Sequence, residues 1–189
     1  MKILKFQELD STNNFAKALI KEGKAEEGLV VYAISQTAGR GQKTKSWESE
    51  PGKNLTFSII IEPKTIEAKH LPLVSQTIFT AIVNYLKTVV NTEEIRIKWP
   101  NDIYIGPKKI CGILIENTIQ DNRILYSVIG VGLNVNQTEF TENAGNPTSL
   151  RLITNETYAI ETELEKLATH IIDELNVFFR SDFSGGTLQ

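Results

Sequence analysis

Apolar and polar positions along this chain predict a set of short strands and a few amphipathic helices. Ile3–Phe6 is a short strand candidate. A helix starts near Asp10-Ser11-Thr12-Asn13-Asn14, where Phe15, Ala18 and Leu19 recur at i, i+3 and i+4, and Gly23 is placed to end it. Leu29–Ser35 is an apolar run of the buried-strand type, and Leu55–Ile61 is a second strand. Leu71, Val74, Ile78, Ile82, Tyr85, Leu86 and Val89 predict a helix over Leu71–Val90. Ile95–Trp99 alternates, Ile95 and Ile97 against Arg96 and Lys98, until Pro100-Asn101-Asp102 breaks it. Ile103–Ile105, Lys109–Asn117 and Ile124–Val135 read as a meander with a polar turn at Gln120–Asn122. After an irregular stretch through Asn136–Pro147, Leu164, Leu167, Ile171, Leu175 and Phe178 predict a last helix near Ile160–Phe179.

The strands cluster in hairpins rather than alternating with helices. That favours an α+β fold, a mixed and mainly antiparallel sheet packed with helices, over a doubly wound parallel one. At 189 residues the chain is expected to form one domain, residues 1–180, with residues 181–189 as a disordered tail. One cysteine, Cys111, excludes an internal disulfide and a Cys-cluster metal site, and two histidines argue against a His-rich centre. A net charge of −3 argues against a nucleic-acid-binding polycation, so no nucleic-acid partner is expected. No apolar stretch approaches the roughly 20 residues of a membrane helix. The N-terminus lacks the apolar core of a signal peptide, so a cytoplasmic protein without membrane contact is expected.

Four segments carry candidate chemistry. Gln36 to Asn54 is a 19-residue stretch without periodicity, and such a loop is usually functional or disordered. Within it, Gly39 and Gly41 flank Arg40 and let backbone N–H groups approach an anion, while Lys43 and Lys45 add charge and Trp47 a flat apolar surface. Gly-rich basic loops are common, so composition alone leaves a solvated loop equally open. Lys98-Trp99-Pro100-Asn101-Asp102 places a lysine where a strand meets a Pro-fixed turn, suited to neutralising a carboxylate or phosphoryl group, although Asn and Asp also simply form turns. Gly130, Gly132 and Gly112 lie within strand patterns, where glycine marks a bulge or the close approach of a ligand. Ser11-Thr12-Asn13 reads as a helix N-cap, or as hydroxyls and N–H groups turned toward a ligand.

Taken together, these blocks resemble one family, the catalytic domain of biotin–protein ligases, also called biotin–[acetyl-CoA carboxylase] ligases. The resemblance rests on Asp10-Ser11-Thr12-Asn13, on Gln36-Thr37-Ala38-Gly39-Arg40-Gly41 with Trp47 downstream, and on Lys98-Trp99-Pro100-Asn101-Asp102. It rests further on Lys109-Ile110-Cys111-Gly112-Ile113-Leu114-Ile115-Glu116 and on Gly130-Val131-Gly132-Leu133-Asn134-Val135. It implies the biotin/lipoate ligase-like catalytic fold and a two-step reaction. Biotin and ATP, with Mg²⁺, would give biotinyl-5′-AMP, and a lysine of a biotin carrier protein would then take the biotinyl group. By the same resemblance Lys98 and Arg40 are the catalytic residues. Ser11, Thr12, Asn13, Gln36, Gly112, Gly130 and Gly132 would hold biotin. Gly39, Arg40, Gly41, Gln42, Lys43, Trp47, Lys98, Asn101 and Asn134 would hold ATP or the adenylate. No ligand for Mg²⁺ is named. The family also makes a homodimer a candidate assembly.

The basic loop departs from the Gly-Arg-Gly-Arg-Arg-Gly of many members, with Gln42 in place of a cation and Thr44 in place of a glycine. The family's DNA-binding helix-turn-helix and its small C-terminal SH3-like domain are not expected here. Two other readings stay open: a lipoate- or octanoate-handling relative on the same fold, and a non-catalytic biotin-binding module.

Overall fold

The computed structural model describes residues 1–43, 45–63, 66–141 and 145–183. Among them, seven strands form a single sheet in the order β1-β2-β3-β7-β6-β5-β4. They are β1 (Lys2–Leu9), β2 (Leu29–Gln36), β3 (Leu55–Ile61), β4 (Ile95–Lys98), β5 (Asp102–Ile105), β6 (Lys108–Gln120) and β7 (Arg123–Leu133). β1 and β2 run parallel, and every other pairing is antiparallel, as the clustering of strands predicts. The parallel pair is joined by helix α1 (Thr12–Lys21), which supplies the crossover that parallel neighbours require.

Ser11 caps α1 by accepting the Asn14 N–H, and Gly23, at φ +67°, lets the chain turn away beyond its end. β6 and β7 form a long ribbon closed by Asp121 and Asn122, both at positive φ, the geometry of a tight hairpin turn. Helix α2 (Leu71–Val89) and helix α4 (Ile160–Phe183) pack side by side. A short helix α3 (Leu150–Thr154), capped by Ser149, and a 3-10 turn at Ala68–His70 complete the order. The sequence pattern misses both, because neither is long enough to show a period. α4 runs to Phe183, so residues 181–183 continue the helix where a tail was expected. Residues 184–189 lie outside the described residues.

The two faces of the sheet differ. One carries Phe57, Ile59, Ile113, Ile129, Val131 and Leu133, packed against Val74, Ile78, Phe79, Ile82 and Leu86 of α2 and Leu167, Ala168 and Ile171 of α4. The other is covered at one end by α1, where Ala16 meets Leu29, Val31, Ile60 and Val128. The rest of that face is left to a loop. No helix among the described residues is long and apolar enough to cross a membrane.

Candidate functional site

Register assembles the site. Directly opposed residues in a sheet share a face. One such row runs Thr56, Gly132, Gly112, Asp102, Lys98 from β3 to β4, and the next holds Ser58, Gly130 and Leu114. The three glycines leave the middle of this face bare, and neighbouring side chains come down into the space. A Cβ on Gly130 would lie 2.3 Å from Asn13 Oδ1, and one on Gly132 would lie 2.3 Å from Trp47 Cε2. One on Gly112 would lie 2.7 Å from Trp47 Cζ3. No real Cβ tolerates such contacts, so glycine is required at all three positions for this packing.

Between these strands, the start of α1 and the 36–47 loop lies a cavity of about 120 Å³. One end is polar and neutral. Gln36 Oε1 accepts from the Thr12 N–H at 2.8 Å, and Ser58 Oγ lies 2.6 Å from Asn13 Oδ1 and 2.8 Å from Thr12 Oγ1. Asn13 Nδ2 donates to Glu116 Oε2 at 2.9 Å. The other end is charged, with Lys109 paired to Asp102; Lys45 and Arg40 line the cavity too, the Arg40 guanidinium on the Asn13 side through the Glu116 oxygen that the two share. Such an excess of cations favours an anionic ligand there. Trp47 Nε1 and Asn101 Oδ1 are buried without a protein partner, so each has hydrogen-bonding capacity to offer a ligand.

The loop that closes the cavity is ordered by its own backbone. Trp47 N–H donates to Gly39 O at 2.9 Å and Gly41 N–H to Lys45 O at 2.8 Å, making a small hairpin with Lys43 at φ +58°. Gly39 allows it, since a Cβ there would stand 2.4 Å from the Trp47 carbonyl oxygen. Arg40 leaves the hairpin toward β6. Its Nη1 and Nη2 donate to Glu116 Oε2 and Oε1 at 3.0 and 3.1 Å, and Nη1 also donates to Asn14 Oδ1 at 2.9 Å. Burial opposes ionisation of Glu116, but hydrogen bonds from Lys17, Asn13 and Arg40 outweigh it and hold the carboxyl below the usual glutamate range.

Of the residues singled out from the sequence, Ser11, Thr12, Asn13, Gln36, Arg40, Gly41, Gln42, Trp47, Asn101, Gly112, Gly130 and Gly132 all line the cavity. Lys98 does not. It stands exposed on the edge strand, at the end of the glycine row, with Nζ 5.1 Å from the centre of the Tyr104 ring. Lys109 does line it: its Nζ lies 2.7 Å from Asp102 Oδ1 and 5.2 Å from the centre of the Trp47 ring.

A β-bulge brings Lys109 to this face. β5–β6 pairing steps from Ile103↔Cys111 to Tyr104↔Lys109, so Ile110 is an extra residue and Lys109 shares a face with Asp102. Strict alternation from Gly112 would turn Lys109 into the core. Gly39, Lys43 and Asn134 also lie off the cavity. Gly39 shapes the hairpin, Lys43 sits at its tip, and Asn134 is buried, with Nδ2 donating to Thr148 O at 2.9 Å. Thr44 lies outside the described residues. Lys45, which the sequence reading credited with charge in the basic loop, lines the cavity as well; besides Lys109, that reading gave no site role to Asp102, Thr56 or Ser46 among the lining residues, nor to Glu116 as the partner of Arg40.

Cys111 faces the helices, and burial pushes its thiol up to about 12. Among the described residues there is no cluster of three or more His, Cys, Asp or Glu able to hold a metal.

Comparison with known proteins matches residues 4–134 to the biotin/lipoate A/B protein ligase family. The chain is similar to the bifunctional ligase/repressor BirA of Bacillus subtilis (strain 168), 37% identical over 129 residues, which cover 68% of this chain and 39% of that protein. It is 31% identical over 169 residues to the bifunctional ligase/repressor BirA of Escherichia coli (strain K12), covering 88% of this chain and 50% of that protein. The chain thus spans at most about half the length of these two relatives. Among solved structures, the biotin protein ligase of Aquifex aeolicus in complex with biotin and ATP superposes with a TM-score of 0.79 at 29% identity, covering 96% of this chain and 73% of that one.

Proposed function

This chain belongs to the biotin/lipoate A/B protein ligase family, and from that premise we propose that it joins biotin to a carrier protein through an acyl-adenylate. The observation that supports this reading is the lining of the cavity: neutral donors and acceptors from Thr12, Asn13 and Gln36, together with three cations and one carboxylate, Asp102. A ureido ring fits the neutral end, where Thr12, Asn13 and Gln36 supply both N–H and oxygen partners. A dithiolane ring would leave those groups unpaired, which favours biotin over lipoate. The bicycle would lie on the strand surface of Gly112, Gly130 and Gly132, part of which Trp47 covers in the ligand-free protein and would yield.

At the charged end, Lys109 neutralises the carboxylate of biotin and the α-phosphate oxygens as the carboxylate oxygen attacks phosphorus and pyrophosphate leaves. Arg40 and the N–H groups of its hairpin hold the phosphate of the mixed anhydride and shield it from water. The lysine amine of a carrier domain then attacks the acyl carbonyl, and AMP departs. Mg²⁺ would enter with the ATP phosphates and offset their charge, and Asp102, the one carboxylate among the lining residues, could help to hold it.

The test is biotin-dependent ATP–pyrophosphate exchange, run beside transfer of biotin to a carrier domain. Exchange with transfer supports the whole reading. Exchange without transfer limits it to adenylation within residues 1–189. Exchange driven by lipoate but not biotin overturns the substrate assignment. Tight biotin binding without exchange makes the protein a binding module.

A further inference from the structure

We infer that Glu116 is a positioning residue: its carboxylate fastens the Arg40 hairpin to the end of the cavity that holds Asn13. The inference rests on the adenylation reading above and adds a residue to it. Glu116 lies on β6, two and four positions beyond Leu114 and Gly112 on the same strand. Its side chain is 23% exposed. Both oxygens are used twice. Oε2 accepts from Asn13 Nδ2 at 2.9 Å and Arg40 Nη1 at 3.0 Å, and Oε1 from Lys17 Nζ at 2.8 Å and Arg40 Nη2 at 3.1 Å.

Two consequences follow from the chemistry of a carboxylate. It only accepts hydrogen bonds, so it selects the amide nitrogen of Asn13 and leaves Oδ1 turned toward Ser58 and the bare surface of Gly130. It also matches the guanidinium fork with two parallel bonds, which fixes the plane of Arg40 as well as its place. Most exposed ion pairs contribute little. This one differs because the fork is two-pronged and shares its acceptor with a buried amide. Asn13 and Arg40, both of which line the cavity, are therefore set by one group that does not line it.

Glu116→Gln tests this. Glutamine keeps the length and an acceptor for Asn13, but loses the charge and one of the two acceptors the fork needs. The first readout needs no activity. In the ligand-free protein, trypsin should cleave after Arg40, Lys43 and Lys45 several-fold faster in Glu116→Gln, while Lys17→Met cleaves as wild type. The second is functional. The acyl-adenylate should dissociate about tenfold faster, as expected for loss of a charge-assisted pair, and KM for ATP should rise while kcat for exchange is kept. Biotin affinity should fall in Glu116→Ala, which removes the anchor of Asn13, and change little in Glu116→Gln. Far-UV circular dichroism separates these effects from misfolding. A folded Glu116→Gln with wild-type cleavage and wild-type adenylate release overturns the inference. Wild-type protein without exchange overturns the proposed function instead, and the trypsin comparison still decides whether Glu116 holds the loop.

Discussion

The two faces of the central sheet are built from the same strands, residue by residue in alternation, yet they are filled by opposite means. Toward α2 and α4, Phe57, Ile59, Val131 and Leu133 fill the space permanently. Toward the cavity, Gly130, Gly132 and Gly112 withdraw their side chains, and the space is filled by Trp47, carried on a hairpin loop. A side chain fixed on a strand cannot leave without unfolding the sheet. One carried on a loop can be exchanged for a ligand. The cavity of about 120 Å³ beside Trp47 is smaller than the ~300–1,000 Å³ typical of small-molecule pockets, which agrees with Trp47 occupying ground that a ligand would share. The packed core lies on one face and the candidate site on the other.

The largest expected effect tests the helix side alone. Ile59→Ala should cost about 2–5 kcal/mol as a buried truncation and lower Tm by roughly 4–20 °C for a chain of this size. Calorimetry reads the shift, and biotin binding below the transition should survive. The reverse separation is expected of Lys109→Ala. Pyrophosphate exchange should fall about 100- to 1,000-fold, the size of losing one preorganised charge contact, with Tm nearly unchanged. Lys98→Ala, on the same face but at the open edge, should stay within about twofold. Equal loss in both lysine variants would erase the distinction the bulge creates. Gly132→Ala puts a methyl 2.3 Å from Trp47 Cε2. It should weaken biotin about tenfold or more, measured by titration calorimetry, while the strain costs at most about 1–3 kcal/mol. The smallest effect belongs to Cys111. With its thiol pushed up to about 12 by burial, it should not react with iodoacetamide at pH 8 in the folded protein, and should react once urea unfolds it.

Much of the fold is legible in the sequence, because the elements are locally consistent. Leu55–Ile61 ends where the pattern predicts, and the seven-position apolar face of α2 marks its span to within one residue. The parallel β1–β2 pairing and the β3–β7 contact are not legible, since they depend on partners far apart in sequence. Most of the cavity lining is legible through glycines, an N-cap and a basic loop, each with a recognisable chemistry. Lys109 is not. Two residues of the same type stand near the same turn, and alternation sends Lys98 to the site face and Lys109 to the core. Only the extra residue Ile110 reverses that for Lys109, and no composition or period announces a bulge. Glu116 is hidden for another reason: its significance lies in Arg40, 76 positions away.

The Asp121–Asn122 turn touches nothing in the cavity, yet it acts as a ruler for it. Gln120 faces Arg123 across the turn, and from there, through a bulge that leaves Leu125 over, the ribbon counts back to Gly112 opposite Gly132, roughly 27 Å away at strand spacing. A residue inserted on one side of the ribbon, with no change in that bulge to absorb it, shifts the count by one and carries Val131 or Leu133 to the place of Gly132. Every site residue would then still be present and correctly spelled, and the floor of the cavity would be gone. The length of a distant hairpin, rather than the identity of any residue that meets the ligand, keeps the binding surface flat.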